Sequence, residues 1–339
     1  MVPRPHRRAP AAARLIHRHR DDASICHPGA VTGRVTSHAD MRIVLVANAA
    51  SGSFADGLTP AAIRERLAAA GFDLAPEPEE SLPLPERLRA AASVDEVEAV
   101  VVAGGDGTLN CAAGILAGTG RALGILPLGT LNLLAKDLGI PLDLDRAIAV
   151  LRDGRRHAVD VGRVNGHVFL INSVLGMPAR MVRHREALRG GPLGPLGLLR
   201  LAAVALRHLG PYPRLPASVS VGGQRRRIRF RLLAVVNNDY AEAPGRILER
   251  SQVDGGGLTL YIARRLSPWR LARLALGFGL GRWRDLPDLE RCGATRFAVS
   301  AGRRAVRVMN DGEIRLIAPP LRYRLMPRAL TVIVPEPGR

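Results

Sequence analysis

From Met41 onward the apolar positions of the chain fall into short blocks that switch between strand and helix spacing. MRIVLVAN, residues 41–48, is a run of β-branched and apolar residues suited to a buried strand. It leads through NAASGS and Thr59-Pro60 into a helical stretch, Ala61 to Ala70, that Gly71 stops. VEAVVVA, residues 97–103, is uninterrupted in its apolar core, as expected of a strand covered on both faces of a parallel sheet. GGDGT follows it, then a helix-like segment from Leu109 to Leu116. Ala122 to Leu126 is another apolar strand; it ends in PLGT and feeds a helix from Asn132 to Leu138. Strand, small-residue turn and helix, repeated three times, predict an open α/β sheet with its ligand crevice at the strand ends.

After Gly154 the period changes. VDVGRVNGHVFLINS, ASVSVGGQRRRIRFRLLAVVNN, GGGLTLYIAR, RFAVSAGRRAVRVMNDGEIRL and YRLMPRALTVIVP are short alternating runs with glycine or asparagine turns. They predict a mostly antiparallel, β-sandwich-like second domain. Two helical segments interrupt it, Leu196 to Leu209 and Pro268 to Leu280. Residues 1–40 carry seven arginines and five of the nine histidines without an apolar period, and are expected to be a disordered basic tail or an artefact of start-site choice.

A length of 339 residues suits two domains, and 47% hydrophobic with 23% charged residues excludes wholesale disorder and fibrous classes. The 49 Lys plus Arg against 30 Asp plus Glu leave +19, which implies a polyanionic partner: nucleic acid, an anionic membrane or a phosphorylated substrate. Nearly all of that charge is arginine, since Lys136 is the single lysine; it follows Ala135, so a Walker-type phosphate loop is excluded. Aromatics at 4% leave little for base stacking, and nucleic acid is not expected as the partner. Cys26, Cys111 and Cys292 lack paired spacing, so neither disulfides nor a zinc site is signalled and a cytoplasmic setting is expected. No apolar run is long enough to span a bilayer.

The candidate chemistry sits in the small-residue turns. In VVVAGGDGTLN, Gly104, Gly105 and Gly107 leave room for a phosphate to approach the main chain, and the following helix points free N–H groups at that space. Asp106 among them makes sense with a divalent cation between it and a phosphate, or else as a helix cap. PLGTLN adds Gly129, Thr130 and Asn132 at the next strand end, and NAASGS adds Ser51, Gly52 and Ser53 at a third. In VMNDGEIRL, Asp311-Gly312 suits a hairpin turn, and Glu313 offers the carboxylate that phosphoryl transfer to an alcohol requires.

GGDGT, PLGTLN, NAASG and the late DGE together, in order from Met41 to the end, resemble the diacylglycerol kinase catalytic-domain family. That family includes bacterial lipid kinases and sphingosine kinases and is distantly related to NAD kinases. The resemblance implies a nucleotide-binding domain over 41–156, to which 325–339 return, and a lipid-substrate domain over 157–324. It implies ATP held by Asn48, Ser51, Gly52, Gly104, Gly105, Asp106, Gly107, Thr108 and Thr130, with Asn132 beside them. It implies Mg2+ at Asp106 and Glu313 as general base. The chain departs from many members at Leu133, where an aspartate often stands, and in SQVDGGGLTL, where Asp254 alone remains of a pair that helps bind a structural Mg2+.

The function implied is ATP-dependent phosphorylation of a membrane lipid, of diacylglycerol or sphingoid type, within phospholipid metabolism. A soluble-alcohol kinase of the NAD-kinase type and a non-catalytic basic membrane- or nucleic-acid-binding protein are the alternatives. Contact with an anionic surface at the inner membrane face is expected from two helices. In the first, Arg200 and Arg207 share a face. In the second, Leu271, Leu274, Ala275 and Phe278 form a stripe with Trp269 and Trp283 near its ends.

Overall fold

The computed structural model describes residues 41–49, 57–176, 213–242, 250–265 and 289–337, with 267, 269, 270, 273, 276, 277, 280–284, 286 and 287 between the last two stretches. The first half runs β1 (Arg42–Ala47), α1 (Pro60–Ala69), β2 (Asp73–Leu74), α2 (Leu84–Ser93), β3 (Ala99–Gly104), α3 (Asp106–Leu116), β4 (Ala122–Pro127), α4 (Leu133–Asp137) and α5 (Leu144–Asp153). The second half runs β5 (Arg155–Val164), β6 (His167–Phe169), β7 (Asn172–Gly176), β8 (Leu215–Val221), β9 (Gln224–Phe230), β10 (Leu232–Asn237), β11 (Leu258–Ala263), β12 (Leu289–Ala294), β13 (Arg296–Ala301), β14 (Val306–Asn310), β15 (Glu313–Ile317) and β16 (Leu321–Val334).

β2, β1, β3 and β4 form a parallel sheet in that order, as the apolar runs predict. β1, β3 and β4 carry almost wholly buried side chains because helices cover both faces. Thr59 caps α1 by accepting from the Ala62 N–H, and Asp143 caps α5 from the Arg146 N–H. The apolar pattern did not single out α2 and α5. Each is a ten-residue helix with three buried positions, too narrow a stripe to stand out among arginines and alanines.

The parallel sheet continues into the antiparallel half. The end of β16 pairs parallel to β4 through Thr331 and Val332, and Tyr323 to Met326 and Leu330 to Val334 pair antiparallel with β5. Its beginning pairs with β13, which leads on to β8 and β9. An irregularity between Met326 and Leu330, with Arg328 at φ +49°, bends the strand between these partners. A second sheet, β12-β11-β10-β7-β14-β15, is antiparallel throughout. Leu175, Leu233, Val235, Val308, Phe297 and Tyr323 lie between the two sheets in one core, so the second half is the sandwich expected from its alternating runs.

Two buried carboxylates tie distant segments of the chain. Asp160 accepts from the Gly256 N–H at 2.7 Å and from the Arg328 N–H at 2.8 Å, fixing the bend of β16. Asp137, at the end of α4, accepts from Arg250 Nε at 2.7 Å, while Arg250 Nη1 donates to the Leu170 carbonyl. Both side chains of the Asp137–Arg250 pair are almost completely buried. Such a pair contributes little net stability and resists removal of one partner.

Candidate active site

β3 ends at Gly104 and α3 begins at once, with Gly105 as an N-cap that has no side chain to satisfy the first turn. The amides of that turn therefore stay available to an anion, and the helix dipole adds to them. The glycines also serve the protein's own packing. A Cβ on Gly129 would lie 2.5 Å from Gly105 Cα, so the two loops touch main chain to main chain. A Cβ on Gly107 would lie 2.7 Å from Glu313 Oε1. The space beside Gly107, expected to admit a phosphate, is where the late carboxylate arrives.

Asn48 joins this group from the end of β1: its N–H donates to the Ala103 carbonyl and its Nδ2 to Thr108 Oγ1 at 2.8 Å. Asp106 does not simply face outward. Its Oδ1 accepts the Leu134 N–H at 3.2 Å, and the amides of Leu133 and Asn132 also act on the carboxylate, so it caps the start of α4. Burial pushes the Asp106 carboxyl above the usual range, while these amides and Lys136 pull the other way. The cap reading and the cation reading of this residue thus differ in what occupies its oxygens, and at least one oxygen is occupied by main chain.

Asn132 differs from expectation. It sits at φ +49° and is buried, and its side chain accepts the Gly129 N–H at 2.9 Å and donates to the Gly129 and Pro127 carbonyls. Its amide braces its own turn. Thr130, at the tip, is exposed.

The DGE segment is a two-residue hairpin: Asp311 at φ +47° and Gly312 at φ +95° join β14 to β15, with Asn310 opposite Glu313. Asp311 is more than a turn residue. Its carboxylate accepts from the Leu170, Ile171 and Asn172 N–H groups at 2.6, 2.9 and 2.8 Å, and from Asn110 Nδ2 at 2.6 Å. Burial raises its carboxyl, and the donors oppose that rise. Asn110 lies on α3, so one carboxylate fixes the hairpin both to the sandwich and to the helix of the glycine turn. That anchoring is what sets Glu313 beside Gly107. Glu313 Oε2 pairs with Arg315 Nη2 at 2.9 Å, and its Oε1 is the atom toward Gly107. Cys111, one turn along α3, feels the same carboxylate, and burial together with Glu313 raises its thiol.

The structure therefore brings Asn48, Gly104, Gly105, Asp106, Gly107, Thr108, Asn132 and Glu313 into one neighbourhood, with Thr130 on its rim. Ser51, Gly52 and Ser53 lie outside the described residues. Asp254 faces His157 Nε2 at 3.8 Å, and among the described residues no three His, Cys, Asp or Glu side chains gather as a metal cluster. Leu196 to Leu209, Leu271, Leu274, Ala275 and Phe278 are likewise outside the described residues. Trp283, expected at a membrane edge, is buried against Tyr240 and Tyr261 on the outer side of the second sheet. Trp269 is 80% exposed, and Leu276 and Leu280 are exposed with it. No helix among the described residues is long and apolar enough to cross a membrane. Sequence reasoning missed Asp311 and Asn110 as anchors; their one signal is an Asp and an Asn inside motifs read for other reasons.

An α/β lobe whose glycine turn opens a helix, joined through a shared strand to an antiparallel sandwich, defines a known class. Residues 42–164 match the diacylglycerol kinase catalytic domain and residues 174–334 the YegS C-terminal NAD kinase beta sandwich-like domain, so the chain belongs to the diacylglycerol kinase catalytic-domain family. A probable lipid kinase YegS-like protein of Klebsiella pneumoniae is 46% identical over 98 residues, 27% of this chain and 33% of the relative; the chain thus matches about a third of that protein's length. A diacylglycerol kinase of Mycobacterium tuberculosis is 28% identical over 256 residues, 74% of this chain and 81% of the relative. The crystal structure of a diacylglycerol kinase from Bacillus anthracis shares the fold, with a TM-score of 0.64 at 21% identity over 88% of this chain and 98% of that one.

Proposed function

We propose that the chain is an ATP- and Mg2+-dependent kinase that transfers the γ-phosphoryl group to the hydroxyl of a membrane lipid, of diacylglycerol or sphingoid type, at the inner membrane face. The observation that carries the reading is Glu313 Oε1 standing beside Gly107, in the first turn of α3. A carboxylate next to a free helix N-terminus is self-defeating as a plain anion site. It becomes useful when a phosphate must be held while a hydroxyl loses its proton.

In this reading the amides of Asp106, Gly107 and Thr108 cradle the phosphate chain, with the exposed Gly129-Thr130 tip alongside. Asn48 and Thr108 hold the first loop against the second. Asp106 would hold Mg2+, which would supply charge neutralisation to the phosphates. A single carboxylate plus phosphates suits that ion, which keeps several waters and seldom occupies an all-protein cage. The pairing of Asp254 with His157 does not fit a second metal, and no step is assigned to it. Arg315 holds Glu313 by Oε2, which leaves Oε1 to take the acceptor proton. Charge-assisted anchoring of this kind fixes direction at some expense in basicity.

Incubating the purified chain with γ-labelled ATP, Mg2+ and separate mixed micelles of diacylglycerol, monoacylglycerol, sphingosine, ceramide and a polyprenol tests the reading. Label is expected in a lipid phosphate. Label that appears only with water-soluble alcohols, or with none of the acceptors, would contradict it.

A further inference from the structure

Beyond the phosphotransfer site, the outer face of the first sheet in the second half of the molecule carries charge that the kinase reading leaves unused. Strand alternation fixes which residues share that face. Phe297 and Val299 of β13, Ala217 and Val219 of β8, Ile228 and Phe230 of β9, and Leu321 and Tyr323 of β16 turn inward to the core. Their neighbours must turn outward. On β9 these are Arg225, Arg227 and Arg229, opposite Ser220, Ser218 and Pro216. On β13 and β16 they are Arg296, Arg322 and Arg324, with Arg296 opposite Arg324 and Ala298 opposite Arg322.

All six arginines are exposed, and among the described residues no carboxylate pairs with any of them. By contrast Arg226, whose side chain alternates to the other side, pairs with Glu290. The floor between them is small: Ser218, Ser220, Ala298 and Ser300. Guanidinium groups standing above such a floor form a wholly cationic face. Two shallow cavities of about 440 and 400 Å³ open on it, both lined by Arg322 and Arg324, the first also by Arg163 and the second by Arg296 and Ser220. Arg163 lies opposite Arg324 on β5, and its Nε is buried without a hydrogen-bond partner. The first cavity's rim is braced where Asn165 Nδ2 donates to the carbonyls of Ala318 and Pro320.

We infer that this sheet face docks the chain on a layer of anionic phospholipid headgroups. Forked guanidinium donors spread over a sheet face suit a layer of phosphates, and among the described residues the face has no exposed aromatic side chain with which to stack a base. At one edge of this face β6 pairs with β5, Val168 opposite Arg163 and His167 opposite Val164. The exposed Trp269, by contrast, lies in the segment next to Trp283, which packs on the outer side of the opposite sheet. The inference rests on the lipid-acceptor reading for its purpose, though docking itself needs no turnover.

Sedimentation of the full chain with vesicles, without nucleotide, tests it. The chain is expected to bind phosphatidylcholine–phosphatidylglycerol vesicles and to ignore phosphatidylcholine alone. R225Q/R227Q/R229Q and R296Q/R322Q/R324Q, on different strands, should each weaken binding by about 100-fold, at about fivefold per arginine. R146Q/R152Q, on α5, should bind as the wild type does. Two triples keep the test alive if one fails to fold, as thermal unfolding would reveal. Undiminished binding by a folded triple overturns the inference. So does a blue shift of Trp269 emission on vesicles, or binding of duplex DNA in place of vesicles with the same arginine dependence. A chain that docks without kinase activity sinks only the catalytic reading, and one that phosphorylates dispersed short-chain lipid without docking sinks only this one.

Discussion

Two glycines in neighbouring turns give opposite expectations when each gains a methyl group. At Gly107 the new Cβ meets the far end of a half-exposed glutamate, which can swing away. Gly107→Ala should therefore leave stability within about 1 kcal/mol and lower kcat, because the displaced group is the one read as the base. At Gly129 the new Cβ meets main chain at 2.5 Å, and neither loop can yield cheaply. Gly129→Ala should destabilise by about 1–3 kcal/mol, as overpacking does. Urea unfolding alongside steady-state kinetics separates the two. Equal loss of stability at both positions would mean that Glu313 is not free to move. Position 311 carries a larger effect. Asp311→Ala strands three main-chain donors and the Asn110 amide in a buried setting, at about 1–3 kcal/mol for each unpaired group. A loss below about 2 kcal/mol by chemical denaturation would show that the anchor is not needed.

At the scale of elements, the first half was legible because its strands are short apolar runs ended by glycine, and β1, β3 and β4 fall within a residue or two of the apolar blocks. The turns were legible for the same reason. What remained hidden is what the turns touch. Nothing local in GGDGTLN says that Asp106 caps α4, which depends on β3 and β4 lying side by side, or that Asn110 reaches a hairpin 201 positions away, which depends on how β16 brings the sandwich back to β4. Asn132 shows the converse case: a polar residue at a strand end looks like a ligand until its own loop is seen to use every group. α4 depends in the same way on a distant partner. Arg250→Met alone should cost about 3–5 kcal/mol by leaving Asp137 buried and unpaired, whereas Arg250→Met with Asp137→Leu should recover most of it. Calorimetry on the single and double variants checks this, and a double variant as unstable as the single one would locate the stability elsewhere.

For the whole molecule, two histidines contribute to the pH dependence of stability near neutrality. Burial holds His157 and His167 below their ordinary value of 6.5, in spite of the attraction of Asp254 for a proton on His157. The unfolded chain therefore takes up these protons at higher pH than the folded one does. Their contribution is complete above about pH 6.5 and is lost as the pH falls through the folded-state values. Unfolding free energies should decline from about pH 7 to about pH 5, and His157→Gln should flatten that slope; an unchanged slope would remove His157 from the account. The central claim, however, concerns the carboxylate that the sandwich delivers to the helix of the glycine turn. Glu313→Gln keeps the shape and reach of the side chain but removes its charge, and with it the ion pair to Arg315 and the capacity to take a proton. With γ-labelled ATP and a lipid acceptor, the variant should bind nucleotide as the wild type does and lose transfer by about 10²- to 10⁴-fold. Transfer at the wild-type rate would contradict the account.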